Sequence, residues 1–277
     1  MIKGIMQLMT AAALLAATLP NSQVSAGEVL ERVRTTKTLK IAVDASYPPN
    51  SFINDKNELD GFDVDVGKTI AERLGAKPEF VTPSWDVITA GQWRSRWDIS
   101  VGQMTPTRER AKKFDFPAVY VYEASVVAVH KDSKATTLSD LNGKVVSAAP
   151  TTTQESYLKH DLVIDAAGAP PFEYKFTPGE VKSIGTALAL DDLRLGDGVR
   201  IDALVSSRMT VLDAIKSGYP IKQLGDPVFY APGTVAIELG DKEFREEIAA
   251  AVAKMRNDGT LTKFSIKWFG ADVTVAK

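Results

Sequence analysis

The chain has 277 residues, a formal charge of −2, 44% hydrophobic and 25% charged residues, the balance of a folded globular protein with room for one large or two ordinary domains. It contains no cysteine, which excludes thiol catalysis, Cys/His zinc sites and disulfide bracing, so stability must come from a packed core. The densest basic cluster, "RERAKK" (108–113), reads as the solvated face of a predicted helix, and no nucleic-acid partner is expected.

The first segment, "MIKGIMQLMTAAALLAATLPNSQVSA", has Lys3, an apolar stretch from Ile5 to Leu19, a helix-breaking Pro20 and small residues before Gly27. This is the three-part layout of a secretory signal (residues 1–26) with cleavage expected after Ala26. The apolar stretch is short for a hydrocarbon layer of about 30 Å, which argues against a retained membrane anchor. Without a cysteine there is also no thiol for a bacterial lipid anchor, so a free product in the periplasm is expected.

From residue 38 onward strands and helices alternate. "TLKIAVDAS" (38–46) is strand-like and ends at the "YPPN" turn. "GFDVDVGKTIAERLG" (61–75) predicts a helix: Phe62, Val66, Ile70 and Leu74 recur every four residues, Asp63 and Asp65 suit its first turn, and Gly75 closes it. "KPEFVTPS" and "WDISVGQM" predict strands with the short helix "WDVITAGQW" between them, and a further helix is predicted to begin after Thr105-Pro106-Thr107.

The pattern then restarts. "ASVVAVHKD" is β-rich, "TTLSDLNGK" is a helical turn and "KVVSAA" is a buried strand; "TTTQESYLKH" opens a helix in which Thr152 and Glu155 fit a capping box. After a Pro/Gly-rich passage come a helix near 184–195, the strand "RIDALVS" and a helix near 209–216. At the end, Phe244, Ile248, Val252 and Met255 form an apolar helical stripe capped by Asp241 and stopped at Gly259, and a last short helix follows. Alternating elements imply parallel pairing, and two α/β units imply two lobes with a cleft at the strand ends.

One detail of the pattern is electrostatically odd. Arg108 and Arg110 fall where a helix is predicted to start, an end that already carries a positive partial charge. Two readings stand on local sequence: a guanidinium fork at a strand end awaiting an external carboxylate or phosphate, or a salt bridge to a neighbour such as Glu109 or Asp115. Tyr47 and Trp85 each follow a predicted strand, on the same rim as Arg110, and two aromatics there suggest walls for a small ligand.

"LKIAVDASYPP…ELDGFDVDVGKTIAERLG", "VTPSWDVI", "WDISVGQMTPTRERAKKFDF", "VVSAAPTTTQESYLK", "IDALVSS" and "AVAKMRNDGTLTKFSIKWFG", in this order along nearly all of 27–277, resemble the periplasmic substrate-binding proteins of bacterial polar amino-acid ABC transporters, solute-binding protein family 3. The resemblance implies an α/β fold of Venus-flytrap type II: two lobes, each a mixed sheet flanked by helices, joined by two hinge strands near 121–124 and 228–232. Lobe 1 would comprise 27–121 plus 232–277, and lobe 2 would comprise 122–231. By the same resemblance Arg110 grips the ligand's α-carboxylate, Gln103 and Thr105 touch its main-chain groups, Tyr47 and Trp85 flank it, and Asp44 lies near its side-chain end. Thr152, Thr153 and Gln154 complete the carboxylate site from lobe 2. The implied partners are an amino-acid-like ligand and the permease and ATPase of an ABC importer; a monomer without cofactor is expected.

Departures from the resemblance bear on specificity. Similar proteins carry an aspartate where Ser207 follows the "IDA" strand, and a hydroxyl cannot neutralise an ammonium. Either another acid replaces it, or the ligand's amine is substituted, shifted or missing, which leaves opine-like conjugates open. Thr151 stands where glycine is common, Asn50 where an aromatic is usual and Glu238 where a base is usual. His130 and His160 lack metal-ligand spacing, and no G-x-S-x-G, H-E-x-x-H, Walker A or G-x-G-x-x-G pattern occurs. A binding protein is therefore expected, not an enzyme; the alternative is a dehydratase of prephenate or arogenate on the same fold.

Overall fold

A computed structural model describes residues 27–166 and 169–275, and the signal-like segment 1–26 lies outside these residues. The first lobe starts with α1 (Glu28–Thr36) and β1 (Thr38–Ala42). A small antiparallel sheet follows, of β2 (Ser46–Tyr47), β3 (Ser51–Ile53) and β4 (Leu59–Asp60). Then come α2 (Phe62–Arg73), β5 (Lys77–Val81), α3 (Trp85–Ala90) and β6 (Ile99–Met104). In α2 the four-residue recurrence buries Phe62, Val66 and Ile70 against the sheet, and Gly75 ends the helix with φ +67°.

β7 (Phe114–His130) carries the chain into the second lobe, which holds β8 (Val145–Ala148), α4 (Thr153–Leu158), β9 (Glu180–Ser183), α5 (Thr186–Arg194), β10 (Ala203–Ser207) and α6 (Arg208–Lys216). β11 (Ile221–Glu238) returns, and α7 (Lys242–Asn257) and α8 (Thr260–Phe269) finish the first lobe. One hydrogen-bonded order, β5-β1-β6-β11-β7-β10-β8-β9, runs through both lobes. β1 is parallel to β5 and β6, and β8 is parallel to β9 and β10. β7 and β11 run antiparallel to each other and to the strands beside them.

Apolar packing is divided accordingly. One set of core side chains, around Phe62, Ile70, Tyr120, Phe244 and Ile248 and continued by Trp93, Trp97 and Phe114, draws on residues up to Val121 and from Val235 onward. The other, around Tyr157, Phe229, Leu193 and Val211, draws only on residues from Val126 to Ala231. Central strands are buried on both faces, so Val126–Val129 reads as an unbroken apolar run.

Three local expectations differ from the structure. The helix predicted after Thr107 is a single 3-10 turn, Arg110–Lys112, because β7 begins at Phe114, whose ring packs 5.2 Å from Trp93 and leaves no length for a helix. β7 and β11 extend well beyond their apolar runs; Pro117 and Pro227 sit where the pairing register shifts, so their missing N–H groups break no regular ladder. The capping box on α4 is half formed: the Thr152 hydroxyl accepts from Glu155 N (3.2 Å), but the Glu155 carboxylate takes Thr151 N (2.6 Å) instead of the cap residue's own N–H.

Asp241 does more than cap α7. One carboxylate oxygen accepts from Phe244 N (2.9 Å), and the other takes Val29 N (3.1 Å) and Leu30 N (3.2 Å), so one buried side chain satisfies the first turns of α7 and α1. Asp241→Ala should therefore cost about 1–3 kcal/mol, seen as a drop of several degrees in Tm by calorimetry. Asp241→Asn should recover only part of it, because an amide has one acceptor oxygen and can serve only one of the two helix starts.

Candidate functional site

The carboxyl ends of the parallel strands of both lobes open onto one cavity of about 330 Å³, within the range that holds small ligands. All ten residues singled out from the sequence line it: Asp44, Tyr47, Trp85, Gln103, Thr105, Arg110, Thr152, Thr153, Gln154 and Ser207.

Arg110 reaches it from the turn after β6. Thr107 Oγ1 accepts from Arg110 N (3.2 Å), which fixes the turn. The guanidinium donates to Thr105 O (3.0 Å) in its own lobe and to Thr151 O (2.8 Å) in the other, and its carbon lies 5.5 Å from the centre of the Trp85 ring. No carboxylate pairs with it among the described residues: of the two neighbours offered for a salt bridge, Glu109 is taken by Lys112 at 2.6 and 2.7 Å and Asp115 forms no ion pair with Arg110. Desolvation by the packed walls pushes its pKa down to about 10, so it is cationic at neutral pH. With five N–H donors and two carbonyls served, it keeps directed donors and an unneutralised charge.

Trp85 opens α3 and lies against Gly102, where a Cβ would come within 3.1 Å of the ring. Glycine there lets the ring pack closely on the end of β6. The buried indole N–H has no partner. Across the cavity the Tyr47 hydroxyl donates to Glu123 Oε1 (2.6 Å). Glu123 stands on β7 where it pairs with β11, opposite Ala231. Burial raises the pKa of both groups; Ser207, at the end of β10, pulls both partly back, yet its buried Oγ makes no hydrogen bond of regular geometry.

Gln103 turns its side chain away from the cavity. With φ +55° its amide donates to Asn50 Oδ1 (2.6 Å) and Asp63 Oδ1 (3.2 Å), while Tyr120 Oη accepts from Gln103 N and donates to Asp63, each at 2.8 Å. Asn50 is thus a hydrogen-bonding member of the core. Burial holds the Asp63 carboxyl well above the ordinary range. Asp44 uses Oδ1 to accept from Ser46 N (2.9 Å) and so shapes the rim. From the second lobe, the Thr152 hydroxyl is spent on Ala149 O and Glu155 N, and Gln154 donates to Ser125 Oγ (2.9 Å). The histidines serve elsewhere: His160 stacks on Tyr174 at 4.2 Å, and His130 lies beside Asp132. Among the described residues no group of His, Asp and Glu is placed to hold a metal ion.

The lobes touch around this cavity. Thr89 and Thr151 hydroxyls bond across the gap (3.0 Å), Thr210 Oγ1 donates to Pro48 O (3.2 Å), and Asp165 N donates to Pro106 O (3.0 Å) beside the Thr107–Ile164 bridge. Thr151 adopts φ +61°, a conformation that favours glycine; its carbonyl and hydroxyl both hold the other lobe from there. The sequence reading missed Glu123. The available signal was its isolation as the only charged residue between Asp115 and His130, in a segment read solely as a hinge.

A cleft between two α/β lobes that touch around it, with one cationic fork and aromatic walls lining the cavity, defines a two-lobed solute-binding protein of the Venus-flytrap class. The comparisons give the family. The model of the bacterial extracellular solute-binding proteins, family 3, matches residues 39–271, and the chain belongs to that family. It is 32% identical over 249 residues to the L-cystine-binding protein TcyJ of Escherichia coli strain K12, covering 89% of this chain and 88% of that one. Among solved structures it resembles an ancestral arginine-binding protein bound to glutamine, with TM-score 0.73, 31% identity and 84% and 98% of the two chains covered. It also resembles the ancestral amino acid-binding protein AncCDT-1, a precursor of cyclohexadienyl dehydratase, with TM-score 0.74, 29% identity and 87% and 99% covered.

If the Thr89–Thr151 bond holds the closed form, Thr89→Val keeps side-chain volume and removes it. Ligand dissociation, followed by stopped-flow tryptophan fluorescence, should then be roughly two- to tenfold faster with the melting temperature nearly unchanged, the equivalent of about 0.5–1.5 kcal/mol.

Proposed function

We propose that this chain binds an amino acid in the periplasm and presents it, enclosed, to the permease of an ABC importer. The observation that carries this reading is the Arg110 guanidinium, half-buried, charged and without a protein carboxylate among the described residues. A ligand carboxylate is its fitting partner, because the planar fork makes two parallel charge-assisted bonds to it.

The ligand docks first on lobe 1, taken as 27–121 plus 232–277, with its carboxylate on Arg110 and its body between Tyr47 and Trp85. Lobe 2, taken as 122–231, then turns about the crossing strands and brings the turn at Thr152 and Thr153 onto the same carboxylate. The shut form is selected because only there does the ligand touch both lobes. A micromolar Kd corresponds to about −8 kcal/mol, a reasonable yield from one arginine fork and two aromatic faces after the cost of ordering.

Kinship with a cystine-binding protein and with an ancestral arginine-binding protein bound to glutamine directs the ligand search to free amino acids, with opine-like conjugates next. Export with cleavage after Ala26 and action as a monomer belong to the same reading. The dehydratase alternative draws on the kinship with AncCDT-1. Turnover of prephenate or arogenate by the purified protein would overturn the binding-only reading.

A thermal-shift screen of amino acids and opines should give a ligand that raises the melting temperature. Arg110→Ala should weaken that ligand at least roughly tenfold by calorimetry, the loss of a charge-assisted bond. Unchanged affinity in this variant would remove Arg110 from the site.

A further inference from the structure

The cavity wall holds a second ionisable side chain without a counter-charge among the described residues. Glu123 reaches its wall from the crossing strand β7, and its one hydrogen-bond partner of regular geometry is the Tyr47 hydroxyl at 2.6 Å. Among the described residues, no Lys, Arg or His pairs with Glu123 or with the neighbouring buried Asp63, which is served by Tyr120 and Gln103. Carboxylates removed from water are normally matched by a cation, because hydroxyl donors replace only part of the lost hydration. Beside Glu123, Ser207 is 1% exposed, lines the same cavity and leaves its Oγ without a hydrogen bond of regular geometry. The wall as a whole carries Asp44, Asp86 and Glu123 against the single cation Arg110. Asp44 is occupied by its own turn, and Asp86 is exposed at the rim, held ionised by Ser84. Glu123 is the half-buried member of the three whose carboxylate is met only by a hydroxyl, that of Tyr47.

We infer that Glu123 is the ammonium anchor of the ligand site: its carboxylate, oriented by Tyr47, accepts from the ligand's α-ammonium, and Ser207 Oγ accepts a further N–H. This rests on the amino-acid reading and sharpens it. An acid at the end of β10 would meet the amine from lobe 2, whereas here the counter-charge sits on the strand that joins the lobes. The ligand class is then a carboxylate bearing a free amine, and amine-blocked conjugates are disfavoured because they would leave the Glu123 charge unmatched.

The same contacts could instead be a structural clasp between Tyr47 and β7. Glu123→Gln separates the two, because the amide oxygen still accepts from Tyr47 while the charge is gone. Calorimetric titrations with L-arginine, L-glutamine and L-cystine are set against their deaminated counterparts, guanidinovalerate, glutaramate and dithiodipropionate. The wild-type protein should prefer the amine-bearing member of the pair it binds by roughly 10- to 150-fold, the worth of a charged hydrogen bond. Glu123→Gln should bring that ratio to within about threefold while leaving the deaminated member nearly unaffected. Glu123→Asp, which keeps the charge but withdraws it by one methylene, should fall between the two and serves if the glutamine variant does not fold. An unchanged ratio, or an equal loss for both members of a pair, overturns the assignment of Glu123 alone. Failure of all three amino acids to bind the wild-type protein overturns the amino-acid reading, and this assignment with it.

Discussion

A guanidinium held by two backbone carbonyls, one from each lobe, is the constraint around which the rest of the site is arranged. Carbonyl oxygens orient Arg110 without cancelling its charge, so the cation is fixed and still available. Trp85 packs behind it so closely over Gly102 that a side chain there would press on the ring. Thr151 can reach it only by adopting a backbone conformation that β-branched residues rarely take. Each of these local costs is offset by placing a donor fork at the mouth of a closed cleft.

The crossing strands set the geometry of that cleft. β7 and β11 pair with each other in both lobes and belong to a single hydrogen-bonded order, so the halves share a spine while keeping separate apolar cores. The register slips between Leu224 and Phe229 and again near Gly233, on either side of the segment where Glu123 faces Ala231. A spine with irregular pairing on both sides of its midpoint can twist there at little cost in packed surface, the condition for a hinge.

Much of this was legible in the residue pattern, for identifiable reasons. The four-residue spacing of Phe62, Val66 and Ile70 predicted α2 because burial on one helix face leaves that trace in any sequence. Tyr47, Trp85 and Arg110 could be placed together from the sequence because strand ends converge on one rim in sheets of this kind, and all three line one cavity. The helix expected at 108 was not there, since local propensity gave way to the packing of Phe114 on Trp93. β9 was overlooked because it is a short, half-exposed edge strand without alternation, next to a Pro/Gly-rich passage. Glu123 escaped for a different reason: a carboxylate on a connecting strand acquires meaning only once Tyr47 and Ser207, distant in sequence, are brought beside it. The resemblance supplied what periodicity could not, a reason to read Ser207 as a substitution with consequences.

The division of the two cores also orders the chain's own assembly. The second lobe's core is complete once residue 231 is available, whereas the first lobe's needs Leu30 from the beginning together with Leu261 from near the end. Asp241 repeats this dependence at atomic scale, since α1 lacks its capping partner until residue 241 is in place. A polypeptide emerging from its N-terminus can close the younger half on its own and must leave the older half open until almost its whole length has appeared.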